Sequence, residues 1–172
     1  MDHSSPTFYV FHGSDEFTIS ETVNEFRDRL GPAETADLNT TWLDGRGVSL
    51  GELQHSCAAV PFLAEKRLVI VTGLLTRLKQ RKGEDVLLEG LLDLLSSLPD
   101  STRLVLVEHE LLSKNHAVLR LAKQDERGFV REFESQKPRM LPQWIVKRAE
   151  KHGGRIAGNA AAIFISSTML NN

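Results

Sequence analysis

The chain contains one cysteine, so it can close no internal disulfide, and no metal site can rest on thiolates. That single Cys57 suits a reducing, cytoplasmic setting. The opening residues Met1-Asp2-His3-Ser4-Ser5-Pro6 have neither a basic flank nor a long apolar run, which excludes a signal peptide or a membrane span there. Charge of one sign is lacking too. Lysine and arginine (21) nearly balance aspartate and glutamate (23), giving a net charge of −2. Bulk electrostatic attraction to nucleic acid is thereby excluded, though a local basic patch is not. No internal repeat is visible. What is present is an ordinary globular composition, 41% hydrophobic and 26% charged over 172 residues. That length suits one medium domain, or a domain with a small appendage, and it supports a core without covalent staples.

Short apolar runs alternate with segments of helical period. Thr7 to Phe11 reads as a buried strand ending at His12-Gly13. Ser14 is placed to cap a helix with Asp15 and Glu16 in its first turn and Arg27 and Arg29 in its last, an order that suits the helix dipole. Ile19, Val23, Phe26 and Leu30 share one face of it, and Gly31-Pro32 stops it. Asn39 to Leu43 is a second strand, followed by the turn Asp44-Gly45-Arg46-Gly47. Ser49-Leu50-Gly51-Glu52 forms a capping box, and Leu50, Leu53 and Cys57 make the apolar stripe of the helix it opens. Leu68 to Val71 is apolar on both faces, as a parallel sheet requires. The basic stretch Thr76 to Glu84 reads as a mobile loop, and Val86 to Leu98 as a leucine-dense helix. Arg103 to Val107 repeats the buried-strand pattern. Ser113 is placed to cap a helix reaching about Gln124, and Gly128 to Phe133 is a fifth strand.

Five strands alternating with helices predict an α/β fold, a three-layer sandwich around a mostly parallel sheet. The break at Ser135 to Met140 divides the chain into residues 1–138, the α/β domain, and 139–172. Only helical patterns follow it. Pro142 suits a first helical turn, with Trp144, Ile145 and Ala149 on one face and Gly153 as the stop. Asn159 is placed to cap a further helix from Ala160 to about Met169. Two such helices are too few to fold alone, so the expectation is the start of a helical second domain, and a chain that is a fragment.

Chemical constellations are few. Phe11-His12-Gly13-Ser14-Asp15 occupies the strand-to-helix position of a phosphate loop, but with one glycine and no lysine. Asp15 and Glu16 there would repel a phosphate. No acidic residue for magnesium follows Leu68 to Val71, which leads into Thr72-Gly73. Glu108-His109-Glu110 lies at a strand's carboxyl end, where α/β enzymes bind ligands. It reads as a polar turn, with a small-molecule or nucleotide-binding enzyme as the alternative function. No histidine spacing suits a metal, and no G-x-S-x-G elbow occurs. Cys57 lies on a helix's apolar stripe, as core. Gly45, Gly47 and Gly51 fall out of step with a dinucleotide fingerprint and read as a turn. Val60-Pro61-Phe62-Leu63, before Ala64-Glu65-Lys66-Arg67, is unusually apolar for a connection. Composition alone favours Phe62 and Leu63 folding back as core beneath it, with exposed anchors for a partner as the other reading.

That segment also carries a resemblance. A strand, Gly13-Ser14-Asp15 opening a helix, and Pro61-Phe62-Leu63-Ala64-Glu65-Lys66-Arg67 leading into Leu68-Val69-Ile70-Val71 are together similar to the delta subunit family of bacterial DNA polymerase III clamp loaders. The leucine-rich helix, the strand Leu104 to Val107, Trp144-Ile145 and Gly153-Gly154-Arg155-Ile156 continue the likeness in order, over roughly Phe8 to Ile165. The resemblance implies an AAA+-like first domain without an ATP site, hence no cofactor and no catalytic residues. It implies a DNA replication role as one subunit of a DNA-directed DNA polymerase holoenzyme, a nucleotidyltransferase assembly. The implied partners are the sliding clamp (the beta subunit), other clamp-loader subunits and, through the complex, DNA. Carried over, the clamp-binding segment is Val60, Pro61, Phe62 and Leu63, which helps open the ring. Here the apolar pair runs Phe-Leu where the family often has Leu-Phe. Arg77, Lys79, Arg81 and Lys82 are the candidate DNA contacts, against an ordinary solvated face.

Overall fold

The computed structural model describes residues 5–80, 85–135, 141–151, 153–157 and 160. Every strand pairing in it is parallel, and the order across the sheet is β2-β3-β4-β1-β5. The strands are β1 (Phe8–Gly13), β2 (Thr40–Asp44), β3 (Arg67–Thr72), β4 (Thr102–Glu108) and β5 (Gly128–Phe133). Those nearest the middle are the most apolar, because helices cover both of their faces. Val69, Val71, Leu104, Leu106, Phe8 and Val10 point to one face, against the helices α3 (Leu50–Ala58), α4 (Leu74–Gln80), α5 (Asp85–Ser97) and α6 (Ala117–Gln124). Leu68, Ile70, Val105, Val107 and Phe11 point to the other, against Ile19, Val23 and Phe26 of α1 (Glu16–Asp28). Three layers result. Tyr9, Phe11 and Phe26 pack edge-on beneath α1, with ring centroids 4.7 and 5.6 Å apart for the two contacts to Phe26.

Two helices depart from the sequence reading. After Gly31, at φ +127°, the chain forms α2 (Ala33–Leu38), which was not anticipated. Arg27 of α1 pairs with Asp37 of α2 at 2.6 Å. The basic stretch expected to be a loop from Thr76 is helical as far as Gln80, because Leu74 and Leu75 are fully buried and Leu78 packs against the same core. Arg81 and Lys82 lie outside the described residues.

Helix starts shift by a residue or more. Asp15, not Ser14, caps α1 by accepting from Thr18 N at 3.0 Å. His116, not Ser113, caps α6 through Nδ1, which accepts from Val118 N at 3.3 Å. Ser113 instead accepts from Asn115 N in the turn before it. At α3 the expected cap holds: Ser49 Oγ accepts from Glu52 N at 3.2 Å.

The chain divides into two compact units, Met1–Phe133 and Glu134–Asn172. The second contains α7 (Leu141–Lys151), closed by Gly153 at φ +76° and a bond from Gly154 N to Ala149 O of 2.7 Å. Within it the Arg148 guanidinium lies 4.9 Å from the Trp144 ring. The helix expected from Asn159 falls outside the described residues apart from Ala160.

Candidate functional site

Between α3 and β3 the chain crosses the amino edge of the sheet as Ala59 to Lys66. Both flanks are fixed by short polar contacts. Thr102 Oγ1 donates to Cys57 O at 2.7 Å at the end of α3, and Lys66 Nζ donates to Asp100 O at 2.9 Å before β3. Between them Phe62 N donates to Asn39 Oδ1 at 2.6 Å, and Asn39 Nδ2 donates to Phe62 O at 2.7 Å. Backbone held inward sends side chains outward. Val60 is 84% exposed, Phe62 57% and Leu63 82%. Pro61 is half-buried. The composition-based expectation that Phe62 and Leu63 fold back as core is therefore corrected, because the hydrogen bonds of this segment turn its backbone to the body. Leu63 has φ +52°, a left-handed conformation that is strained for a bulky side chain.

The turn from β1 to α1 is held closely against the end of β5. Gly13 adopts φ +137°, and a Cβ on it would lie 2.1 Å from Phe133 O. Glycine is required by the end of β5 rather than by a ligand. Asp15 N, one of the few donors the turn offers, is spent on Phe133 O at 3.1 Å. The Asp15 carboxylate accepts from Thr18 N at 3.0 Å and Thr18 Oγ1 at 2.6 Å, placing the chain's own anion at the helix N-terminus. His12, near the end of β1, is buried, and its Nδ1 accepts from Leu112 N at 3.4 Å. Burial pushes its pKa down, which keeps the ring neutral and able to accept.

At the carboxyl edge, Arg46, Gly73, Thr76, Arg77, Glu108, His109 and Glu110 line an open hollow of about 310 Å³. Its polar groups are largely spent on the protein. Glu108 is fully buried and caps α4: Oε1 accepts from Leu75 N at 2.7 Å, and Oε2 accepts from Thr76 N at 3.1 Å and Thr76 Oγ1 at 2.7 Å. Burial pushes the Glu108 pKa up, partly opposed by those bonds. Arg46 pairs with Asp44 at 2.7 Å and holds that carboxyl down at about 2. His109 and Glu110 are exposed on the turn. Glu108 is thus a structural cap, a role the sequence hid because its partners lie more than thirty positions away.

The basic candidates separate. Arg77 Nη1 donates to Gly45 O at 3.1 Å and Val48 O at 3.0 Å, stapling α4 to the turn after β2. Lys79 is exposed. Arg77→Ala is expected to cost about 1.5–3 kcal/mol, as loss of hydrogen bonds from a charged donor does, whereas Lys79→Ala stays within about 0.5 kcal/mol of the parent. Urea unfolding of the two variants checks this, and equal midpoints would contradict it. Cys57 is buried, and burial pushes its thiol up to about 12. Among the described residues no group of three His, Cys, Asp or Glu could hold a metal ion. No helix among them is long and apolar enough to cross a membrane.

Strand order, all-parallel pairing and a phosphate-loop position filled from within define an AAA+-like α/β module. The fold of the Bacillus subtilis DNA clamp loader delta protein superposes with a TM-score of 0.72 at 23% identity, over 94% of this chain and 48% of that one. A DNA polymerase III gamma subunit-related protein from Thermotoga maritima matches with a TM-score of 0.51 at 14% identity, over 84% of this chain and 46% of that one. This chain therefore spans about half the length of these solved relatives. No curated protein matches it by sequence. The family model for the DNA polymerase III delta subunit matches residues 9–131. The chain belongs to the DNA polymerase III delta subunit family.

Proposed function

We propose that this chain is the clamp-contacting front part of a clamp-loader delta subunit and carries out no chemistry of its own. The observation that supports this best is the connection Val60-Pro61-Phe62-Leu63, which displays two large apolar side chains to solvent from a backbone fixed on both flanks. Such a pair, seated in a pocket of the sliding clamp, supplies the few central apolar anchors that hold most of an interface's affinity. Other clamp-loader subunits and, through them, DNA are the remaining partners, and the cytoplasm is the setting. Lys79, with Arg81 and Lys82, is the remaining candidate for a phosphate contact. Arg77 is already engaged with backbone carbonyls.

Equilibrium binding to the cognate sliding clamp, by calorimetry or anisotropy, tests the reading. Saturable one-to-one binding is expected, and a folded chain that shows none would sink it. ATP is expected not to bind, because Asp15 caps the helix N-terminus with the chain's own carboxylate and the turn Gly13-Ser14-Asp15 itself carries no lysine. A labelled ATP analogue with magnesium, titrated with the protein and compared with a protein-free blank, should give no saturable signal. Micromolar binding lost on Gly13 or Ser14 substitution would favour a nucleotide-binding protein instead.

A further inference from the structure

We propose that Asn39 is a positioning residue for the clamp contact: its side-chain amide holds Phe62 and Leu63 in the displayed conformation before the partner arrives. The proposal rests on the reading of that pair as the clamp contact and adds the device that presents it.

Asn39 sits where α2 ends and β2 begins, and it is 1% exposed. A buried amide persists only where its polar atoms are matched. Here they are matched to backbone, both of the connection and of the last turn of α2. Oδ1 accepts from Phe62 N at 2.6 Å, and Nδ2 donates to Phe62 O at 2.7 Å and to Thr35 O at 2.8 Å. The two bonds to Phe62 reproduce the exchange of one residue pair in a β-ladder, made by a side chain. The backbone of Asn39 is committed as well, since its carbonyl accepts from Leu68 N at 2.8 Å at the start of β3. One residue thus ties the crest of the connection to the body of the sheet.

The geometry it fixes does not favour itself. Leu63 stands at φ +52°, a conformation uncommon for a leucine, and its side chain is 82% exposed. Packing cannot hold so exposed a residue in place. The constraint comes from its neighbours: Pro61 fixes its own φ and restricts Val60, and Asn39 grips Phe62 at both its N–H and its C=O. Without the grip, residues 60–64 would sample many conformations, and only a fraction would display both side chains together. Apparent affinity for the clamp falls by that fraction.

Four proteins separate the outcomes: the parent chain, Asn39→Ala, Asn39→Asp and Phe62→Ala with Leu63→Ala. For each, clamp affinity, thermal unfolding, exchange of the Phe62 amide and the Cα and Cβ chemical shifts of Leu63 are measured. In the parent, the Phe62 amide should be protected despite its exposed surroundings, and the Leu63 shifts should report a positive φ. Asn39→Ala should abolish both signatures and weaken clamp binding about tenfold, at a temperature where the sheet amides remain protected. Asn39→Asp keeps the acceptor for Phe62 N–H but loses the donor to Phe62 O, so it should fall between. A residue that merely supports the fold would lower the unfolding temperature and leave affinity and Leu63 shifts untouched in the folded fraction. That result overturns the proposal. Should Asn39→Ala fail to fold, the parent protein still decides, since a Phe62 amide exchanging at the random-coil rate defeats the inference without any substitution. Clamp affinity unchanged by loss of Phe62 and Leu63 would remove the underlying reading itself. Affinity lost with that pair but retained with Asn39→Ala would remove only the role of Asn39.

Discussion

Replacing Phe62 and Leu63 together by alanine is expected to leave the unfolding temperature within a degree or two and to weaken sliding-clamp binding by roughly a hundredfold or more. Fully burying an aromatic and a leucine side chain contributes about 1.5–3 kcal/mol each, so the pair can supply ~3–6 kcal/mol on docking. Each 1.4 kcal/mol is about a factor of ten in affinity, so losing even the lower figure reaches about a hundredfold. Stability should hardly change, because Phe62 and Leu63 are 57% and 82% exposed in the free protein. A core pair would behave in the opposite way, costing several kcal/mol of folding free energy on truncation. One double variant, measured by thermal unfolding and by clamp binding, therefore reads out both alternatives. Early melting would mean that the side chains support the fold. Parent-like binding by a folded variant would mean that the clamp contact lies elsewhere.

The sheet was legible in the sequence because parallel strands buried on both faces are written as unbroken apolar runs. Leu68 to Val71 and Leu104 to Val107 are such runs, and the structure extends each by only a residue or two. Helices with long amphipathic faces were equally plain, as in α1 and α5. Short helices were not. The six residues of α2 follow Gly31-Pro32, which signals a stop, and six residues are too few to show a period. In α4 the residues Thr76 to Gln80 are mostly polar and basic, while its anchors Leu74 and Leu75, just after Gly73, are too few to show a period. The apolar pair of the candidate site could be named from the sequence, but its exposure could not. That exposure depends on a bond from Phe62 to Asn39, twenty-three positions away, and Asn39 carries no local signal of its own. Sequence periodicity encodes what neighbours along the chain do, and these contacts are made across it.

Glu108→Ala should be the most damaging single substitution outside the apolar core, costing about 2–5 kcal/mol, because it strands two backbone N–H groups at the start of α4. Leu75 N is buried in the intact protein, where the Glu108 carboxylate is the acceptor it meets. For a domain of this size about 1 kcal/mol corresponds to ~2–4 °C, so the unfolding temperature should fall by roughly 4–20 °C. Glu108→Gln keeps one acceptor and should lose less. The pH dependence of these variants carries a sign that distinguishes a buried carboxyl from an exposed one. Burial raises the folded-state pKa of Glu108 above its unfolded value near 4.5, so folding favours the protonated form. The stabilisation belonging to that shift is complete below about pH 4.5 and is lost as pH rises through the folded-state pKa. Relative to Glu108→Gln, which cannot titrate, the parent protein should gain stability as pH is lowered from 7 toward 4.5. Asp44 and Asp125, whose pKa values are depressed by Arg46 and Arg127, act in the opposite direction but are common to both proteins and cancel in the difference. Denaturant unfolding of parent and variant across this range measures that difference directly. A gap that stays constant with pH would show that the Glu108 carboxyl titrates alike in the folded and unfolded chain. An alanine variant that unfolds with the parent would show that α4 has no need of its cap.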